Sequence, residues 1–584
     1  PAELLHRQTE WSAKYFADRF GIKVKTGYNV DSFGHAATLP DIYAAHGMEN
    51  YVMMRPGVHE MTLPSNLFHW ESPSGKQLLT YRISYAYCTE FRGAEQSMTN
   101  QIEALMKESD PNVGAAMLFV GVGDHGGGPI RRELALLKKM QEKYPQHEFI
   151  FSHPDRFFDE IRAANPQLPT VREELQHHAI GCYSAVSEIK NSLRASVNLL
   201  CAAEKAMQRI PNRNPEWAPR MEHAWKDVFF NAFHDVLAGT CIKSACRETV
   251  AELNAAATDA RHIIEDVVRI PNAELPPAPL QRLIFDNFGP DSDDYIAVET
   301  WMGPWIGEEL RSGWMALHEG CGLLQDEDGN HVPSTYYPCQ AAVDYSPATY
   351  FRLKIASGQR RIFTFDPAKP FPAEDSRPDA ENKCLPAYDG GKVAFARNGE
   401  CWTSPLSIDV IRDDSDTWSH NINGYDQTAE YSFQPDPEWL QLENYPLTQR
   451  RTTNLRGQDG FARMDVRSFH GIPAAEITLK LHWFGGGKLV KLRLKPEFPV
   501  AARKDGILGG AVARKLNGEE YPFRAWTMLT AEDGRTMAVV AKEATSLDVQ
   551  PDGTLGITLL RSPLYAHHCP TVPPEHHDYP TTEQ

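Results

Sequence analysis

Helical periodicity all but disappears from this chain at Ile270, and that break constrains the fold more than any other feature. The segment from Ile270 and Pro271 to Pro279 holds four prolines in ten residues. It reads as a linker, because proline cannot donate to a helix or to an interior strand ladder. Beyond it, alternating runs such as Glu476–Trp483 and Lys488–Leu494 are separated by Gly, Asp and Pro turns. Period-two alternation between turns predicts a β-sandwich region over 271–584 with more than one pair of sheets.

Two other regimes precede the linker. Residues 1–170 alternate strand and helix signals. The nearly continuous apolar run Ala115–Val122 predicts a strand buried on both faces. A Gly-rich turn follows over Gly123–Pro129, then an amphipathic helix through Arg132–Met140. Glu148–Ser152 predicts another strand and Pro154–Ala164 another helix, a βαβ rhythm that gathers loops at one end of a parallel sheet. Residues 171–270 change to helical spacing over 187–208, 217–236 and 242–268, which predicts a three-helix bundle. A chain of 584 residues is in any case too long for one core.

Composition narrows the function. With 59 basic against 77 acidic residues the formal charge is −18, which disfavours nucleic acid and anionic membranes as partners and suits a neutral substrate. The ten cysteines show no CxxC or paired spacing, and the expectation is reduced, mostly buried thiols in a cytoplasmic protein. No run has transmembrane length and no signal-peptide pattern opens the chain. The first residue is Pro1 rather than Met, so the sequence does not reveal whether a leader precedes it.

Three constellations could carry chemistry. In Asn29-Val30-Asp31-Ser32-Phe33-Gly34-His35 a carboxylate follows a short apolar lead-in, as at the C-terminal end of a strand where catalytic groups collect; an Asp in such a turn also serves as a plain cap. Gly121–Pro129 sets Asp124 and His125 among glycines that permit close backbone approach. It is no phosphate loop, since Lys-Ser/Thr is missing; Asp124 reads equally as a general acid/base and as a helix cap. In Phe233-His234-Asp235 through Gly239 an imidazole and a carboxylate meet at a helix end, as zinc ligation with a supporting carboxylate requires, or as a satisfied core histidine. His567-His568 and His576-His577-Asp578 look metal-like by count alone, in a Pro-rich tail.

Together these three motifs resemble glycoside hydrolase family 38, the α-mannosidases. Asp31 through Leu39-Pro40 and Gly47 resembles the family's nucleophile segment, Gly121–Pro129 its Gly-rich acid loop, and Phe233–Asp235 with Gly239 its metal-binding motif. Trp70–Gly75 resembles the hairpin after the nucleophile strand, and His178–Tyr183 with Lys190 and Arg194 the entrance to the helical domain. The order and spacing match over about 250 residues.

The resemblance implies a multidomain architecture: a partial (β/α) barrel of the seven-stranded glycosidase type over 1–170, a helix bundle over 171–270, and a β-sandwich region over 271–584. It implies retaining hydrolysis of terminal α-linked mannose from an oligosaccharide or glycoside. Asp31 would be nucleophile and metal ligand, and Asp124 the acid/base with His125 as its competitor. His234 would ligate one Zn²⁺, and Asp235 would bind a sugar hydroxyl. Arg55 matches a family arginine beside the nucleophile, or is an ordinary surface residue. Trp70, Tyr85 and Tyr87 are sugar-stacking candidates or core aromatics. A homo-oligomer is compatible with all of this.

The resemblance departs at both ends. The family's upstream His-x-Asp pair has no counterpart before Asp31, since His6 is followed by Arg7 and Gln8. Two of four metal ligands are then present, and the expectation is a fragment lacking both ends. The competing readings are a non-catalytic carbohydrate-binding relative and another metal hydrolase acting on sugar esters or amides.

Overall fold

The computed structural model describes residues 1–89, 94–108, 113–123, 126–211, 214–300, 321–337, 348–370, 372, 387–388, 391–397, 400–437, 441–445, 447–470 and 472–565. In its first third, β1 (Thr26–Asn29), β2 (Asn50–Met53), β3 (Leu67–Glu71), β4 (Gln77–Arg82) and β5 (Thr170–Val171) form one sheet in the order β1-β2-β4-β3-β5. β1, β2 and β4 run parallel, while β3 turns back and pairs antiparallel with β4. All four residues of β2 are buried, as a strand covered on both faces requires. Val52 joins Leu79, Tyr81 and the helical residues Phe157, Phe158 and Ile161 on one side. Its neighbours Tyr51 and Met53 join Leu39, Phe68 and Trp70 on the other, the alternation a pleated strand imposes.

The helices are α1 (Ala2–Phe20), α2 (Leu39–Ala45), α3 (Ala94–Glu108), α4 (Arg131–Lys143), α5 (Pro154–Ala164), α6 (Ser187–Met207), α7 (Trp217–Phe230), α8 (His234–Leu237) and α9 (Lys243–Ala273). α6, α7 and α9 share one apolar core through Leu193, Leu200, Trp225, Leu253 and Ile263. α1 docks on that core with Leu4 and Trp11. Arg7 ties it down with an ion pair to Glu204 and its guanidinium 4.5 Å from the Trp225 ring centroid. Sequence periodicity gave no hint of this docking, because the contacts span some 200 residues.

Three expectations need correction. Ala115–Val122 is no ladder strand: among the described residues only Val122 forms a bridge, with Thr89, and Ala115 and Ala116 are exposed. An apolar run reports burial tendency, whereas a strand also needs a neighbour with free donors and acceptors, and the passing segment Tyr85–Cys88 is irregular. Glu148–Ser152 is likewise irregular, with Phe151 exposed. At the linker, α9 runs through Pro271 to Ala273, so the spacer before the next strand, Gln281–Asp286, is 274–280. A proline three residues from a helix end forfeits a single backbone bond there.

Beyond residue 280 every regular element among the described residues is a strand. Two three-stranded sheets face each other through Leu283, Leu324 and Phe365 on one and Phe351 and Leu353 on the other. A larger sheet carrying Ile408, Val410 and Val490 packs against one carrying Leu455, Met464 and Val466. More than one sheet pair is therefore present, as the alternation predicts. Cys182, Cys201, Cys241 and Cys246 are free thiols, but Cys401 is disulfide-bonded, so the expectation of reduced thiols fails there. No helix among the described residues is long and apolar enough to cross a membrane.

Candidate active site

Parallel pairing of β1 with β2 sets Asn29 opposite Met53. Two residues past each strand end, Asp31 and Arg55 emerge side by side at the C-terminal edge of the sheet. Arg55 Nη2 lies 2.8 Å from Asp31 Oδ1. The contact is an ion pair but off the hydrogen-bond direction, so this buried oxygen has no aligned donor among the described residues. Oδ2 accepts a 2.8 Å hydrogen bond from the Tyr87 hydroxyl. His234, first residue of α8, brings Nε2 to 3.9 Å from Asp31 Oδ2 and 3.5 Å from Asp235 Oδ2. A partly buried carboxylate thus sits among a cation, a phenol and an imidazole, an arrangement that suits a nucleophile.

The remaining sequence candidates divide. Trp70 lies in the core with no exposure, its indole N–H donating to Glu173 O at 3.1 Å. That burial corrects its candidacy as a sugar platform, since a ring enclosed on both faces cannot meet a ligand. Tyr85 is exposed. Gly123 lies so close to the Cys88 side chain that a Cβ there would come within 2.5 Å of it, and within 3.3 Å of the Tyr87 ring. The Gly-rich loop therefore reaches the segment that carries Tyr87. Asp124 and His125 lie outside the described residues, as do His567, His568, His576, His577 and Asp578.

Several wall residues escaped the sequence reading. The Phe33 ring meets Trp418 edge-on at 4.8 Å, stacks toward His178 at 6.1 Å and faces His234 at 6.0 Å. Trp418 in turn stacks with His420 at 5.2 Å. Burial and the neighbouring His178 push the His420 imidazole down. These two residues come from the β-rich region, nearly 400 positions after Asp31, so no local pattern could announce them. Their approach depends on Gly181, whose absent Cβ leaves room for Thr417 O, Arg561 and Ser419. The Gly181 N–H then donates to Trp418 O at 3.0 Å.

His35 locks the arginine turn from behind. Its Nε2–H donates to Arg55 O at 2.7 Å and its Nδ1 accepts from the Tyr51 hydroxyl at 2.8 Å, which assigns a neutral ring. Burial pushes its pKa from 6.5 down to about 4. The unfolded chain therefore takes up this proton first. The contribution is whole above about pH 6.5 and is lost as pH falls toward 4, about 3 kcal/mol in all. Urea unfolding at a series of pH values should show stability falling across that window, with a shallower slope in His35→Gln.

As to metal, Asp31 and His234 are zinc-type donors, and 3.9 Å is within the span of two ligands on one ion. They fit in kind but not in number, because a catalytic zinc takes three protein ligands. Among the described residues no group of three or more His, Cys, Asp or Glu side chains is arranged to hold an ion.

Residues 2–179 match the glycosyl hydrolases family 38 N-terminal domain and residues 176–270 the alpha mannosidase middle domain. An alpha-mannosidase of Saccharomyces cerevisiae is 24% identical over 291 residues, 46% of this chain and 26% of the relative. The human alpha-mannosidase 2C1 is 26% identical over 259 residues, 42% of this chain and 24% of the relative. The matched portion spans about a quarter of the length of these curated relatives. The crystal structure of an alpha-mannosidase from Enterococcus faecalis V583 superposes with a TM-score of 0.74 at 14% identity, over 95% of this chain and 73% of that one. At that identity the likeness shows a shared multidomain α/β fold.

Proposed function

This chain belongs to glycoside hydrolase family 38, and on that premise we propose that it is a retaining α-mannosidase. The reading rests above all on Asp31, held at the sheet's C-terminal edge by Arg55 and Tyr87 and facing His234. The substrate is terminal α-linked mannose in an oligosaccharide or glycoside.

In this account Asp31 attacks the anomeric carbon and the glycosidic C–O bond breaks. Asp124 protonates the departing oxygen, or His125 in its place. The resulting glycosyl ester is cleaved by water, which the same group deprotonates, and Asp31 leaves as a carboxylate. Two carboxyls about 5–5.5 Å apart serve this double displacement. Arg55 and Tyr87 hold and aim the Asp31 carboxylate before attack. Trp418, partly exposed, offers apolar ring surface to a sugar face, with the buried Phe33 ring packed edge-on against it. Asp235 takes a sugar hydroxyl. One zinc ion, held in part by Asp31 and His234, would when bound template two adjacent sugar hydroxyls.

The proposal carries the seven-stranded barrel reading of the first sheet and the three-helix bundle reading of α6, α7 and α9, supported by the fold likeness. A cytoplasmic setting draws support from the free thiols Cys182, Cys201, Cys241 and Cys246, with Cys401 against it.

The test is hydrolysis of an aryl α-mannoside by the full chain, with and without added Zn²⁺, followed by proton NMR of the released sugar. The expected result is α-mannose as first product, faster with Zn²⁺. First release of the β-anomer overturns the retaining mechanism. Sugar binding without turnover favours the carbohydrate-binding alternative.

A further inference from the structure

One turn presents two charged residues toward the same imidazole. Arg55 opens it, the Gly57 N–H donates to Glu60 Oε2 at 2.6 Å, and the backbone closes through Glu60 N to Gly57 O at 3.1 Å. His178, arriving from the segment before α6, bridges the two ends. Its Nδ1 lies 2.6 Å from Glu60 Oε1 and its Nε2 lies 2.9 Å from Arg55 Nη1. A guanidinium can only donate, so Nε2 must accept. The ring is then neutral, and its single proton sits on Nδ1 and is donated to Glu60. The other guanidinium nitrogen, Nη2, is the one at Asp31.

We propose that Glu60 and His178 are positioning residues that fix the Arg55 guanidinium, and through it the Asp31 carboxylate, for attack. The inference rests on the reading of Asp31 as nucleophile. The His178 side chain is 12% exposed and that of Glu60 10%, so water is a weak competitor for these bonds. The ring plane is held as well: Phe33 lies nearly parallel to it, 13° off, and His420 meets its edge at 5.0 Å. Other charges near the relay are few. His59 Nε2 stands 3.7 Å from Glu60 Oε1 on an exposed side chain. The Glu60 carboxyl is held below its usual range, because donation from His178 and the Gly57 N–H outweighs burial. The Arg55 backbone is separately pinned through His35, so what the relay governs is the direction of the guanidinium.

The two-nitrogen demand makes the role testable apart from simple structural support. In the full chain labelled with ¹⁵N-histidine, the His178 ring signals are identified by their loss in His178→Gln. At neutral pH they should show a protonated Nδ1 and a bare Nε2. Glu60→Ala and His178→Ala should each lower kcat for an aryl mannoside by about 10²-fold through misalignment, with KM within threefold. His178→Gln can accept with Oε1 and donate with Nε2, so it should regain at least tenfold over the alanine variant. A ring protonated on Nε2, or on both nitrogens, overturns the proposal. So does a loss confined to KM, or an equal loss in the glutamine and alanine variants. A wild-type chain that turns over no mannoside would sink the enzymatic reading instead, and the ring nitrogens would still decide the relay.

Discussion

Asp31→Ala should reduce turnover of an aryl α-mannoside by about 10⁴-fold or more, the scale on which removal of a nucleophile acts. The folded state should tolerate the change. The Asp31 side chain is 21% exposed and that of its partner Arg55 22%, so water still reaches a guanidinium left without its carboxylate and the cost stays at about 1 kcal/mol. Urea unfolding midpoints of the variant and the parent chain should therefore nearly coincide while their rates diverge. Asp31→Asn is the sharper control, since it keeps the shape and the Tyr87 contact but removes the charge. Added azide should restore part of the rate in Asp31→Ala and yield a β-mannosyl azide, because it enters from the face the carboxylate vacated. Rates within tenfold of the parent would remove Asp31 from the chemistry.

The second large effect is expected far from the sheet, at Arg561. This fully buried guanidinium donates from Nε to Asp413 at 2.8 Å, from Nη1 to Gly181 O at 3.0 Å, and from Nη2 to Asp416 O at 2.7 Å and Ser419 Oγ at 2.8 Å. It fastens the loop that carries Trp418 to the turn after His178, and so joins the β-rich region to the candidate site. Arg561→Met should cost about 3–5 kcal/mol, because it leaves the Asp413 carboxylate buried without its counter-charge. The double variant Arg561→Met with Asp413→Leu should recover a large share of that loss, since no charge is then stranded. Thermal and urea unfolding of the three variants measure both terms. KM for the mannoside should rise in the single variant as Trp418 loosens. Equal stability of single and double variants would mean that the loop contacts, rather than the charge, carry the effect.

How much of this was legible in the sequence follows physical range. Asp31 and His234 were readable because each lies in a short local motif, and the bounds of α5 because Pro154 starts it. Ala115–Val122 misled because hydrophobicity is a property of a segment, whereas strand pairing belongs to two. Trp70 misled in a similar way: ring chemistry suits a sugar platform as well as a core, and burial between Tyr51 and His35 decided it. Glu60 and His178 are separated by 118 positions, and Trp418 lies still farther from Phe33. Such contacts arise from how the sheet, the turn before α6 and the β-rich region meet, which no spacing rule encodes.

The central claim is that Asp31 becomes covalently glycosylated. A 2-deoxy-2-fluoro mannoside with a good leaving group slows both steps, and should let the ester accumulate in the full chain incubated with Zn²⁺. Peptide mass spectrometry should then find one fluoromannosyl unit on the peptide carrying Asp31, absent from Asp31→Ala and lost when the sample is left to turn over. A label on another carboxylate, or turnover of ordinary mannosides with no accumulating adduct, would contradict the account.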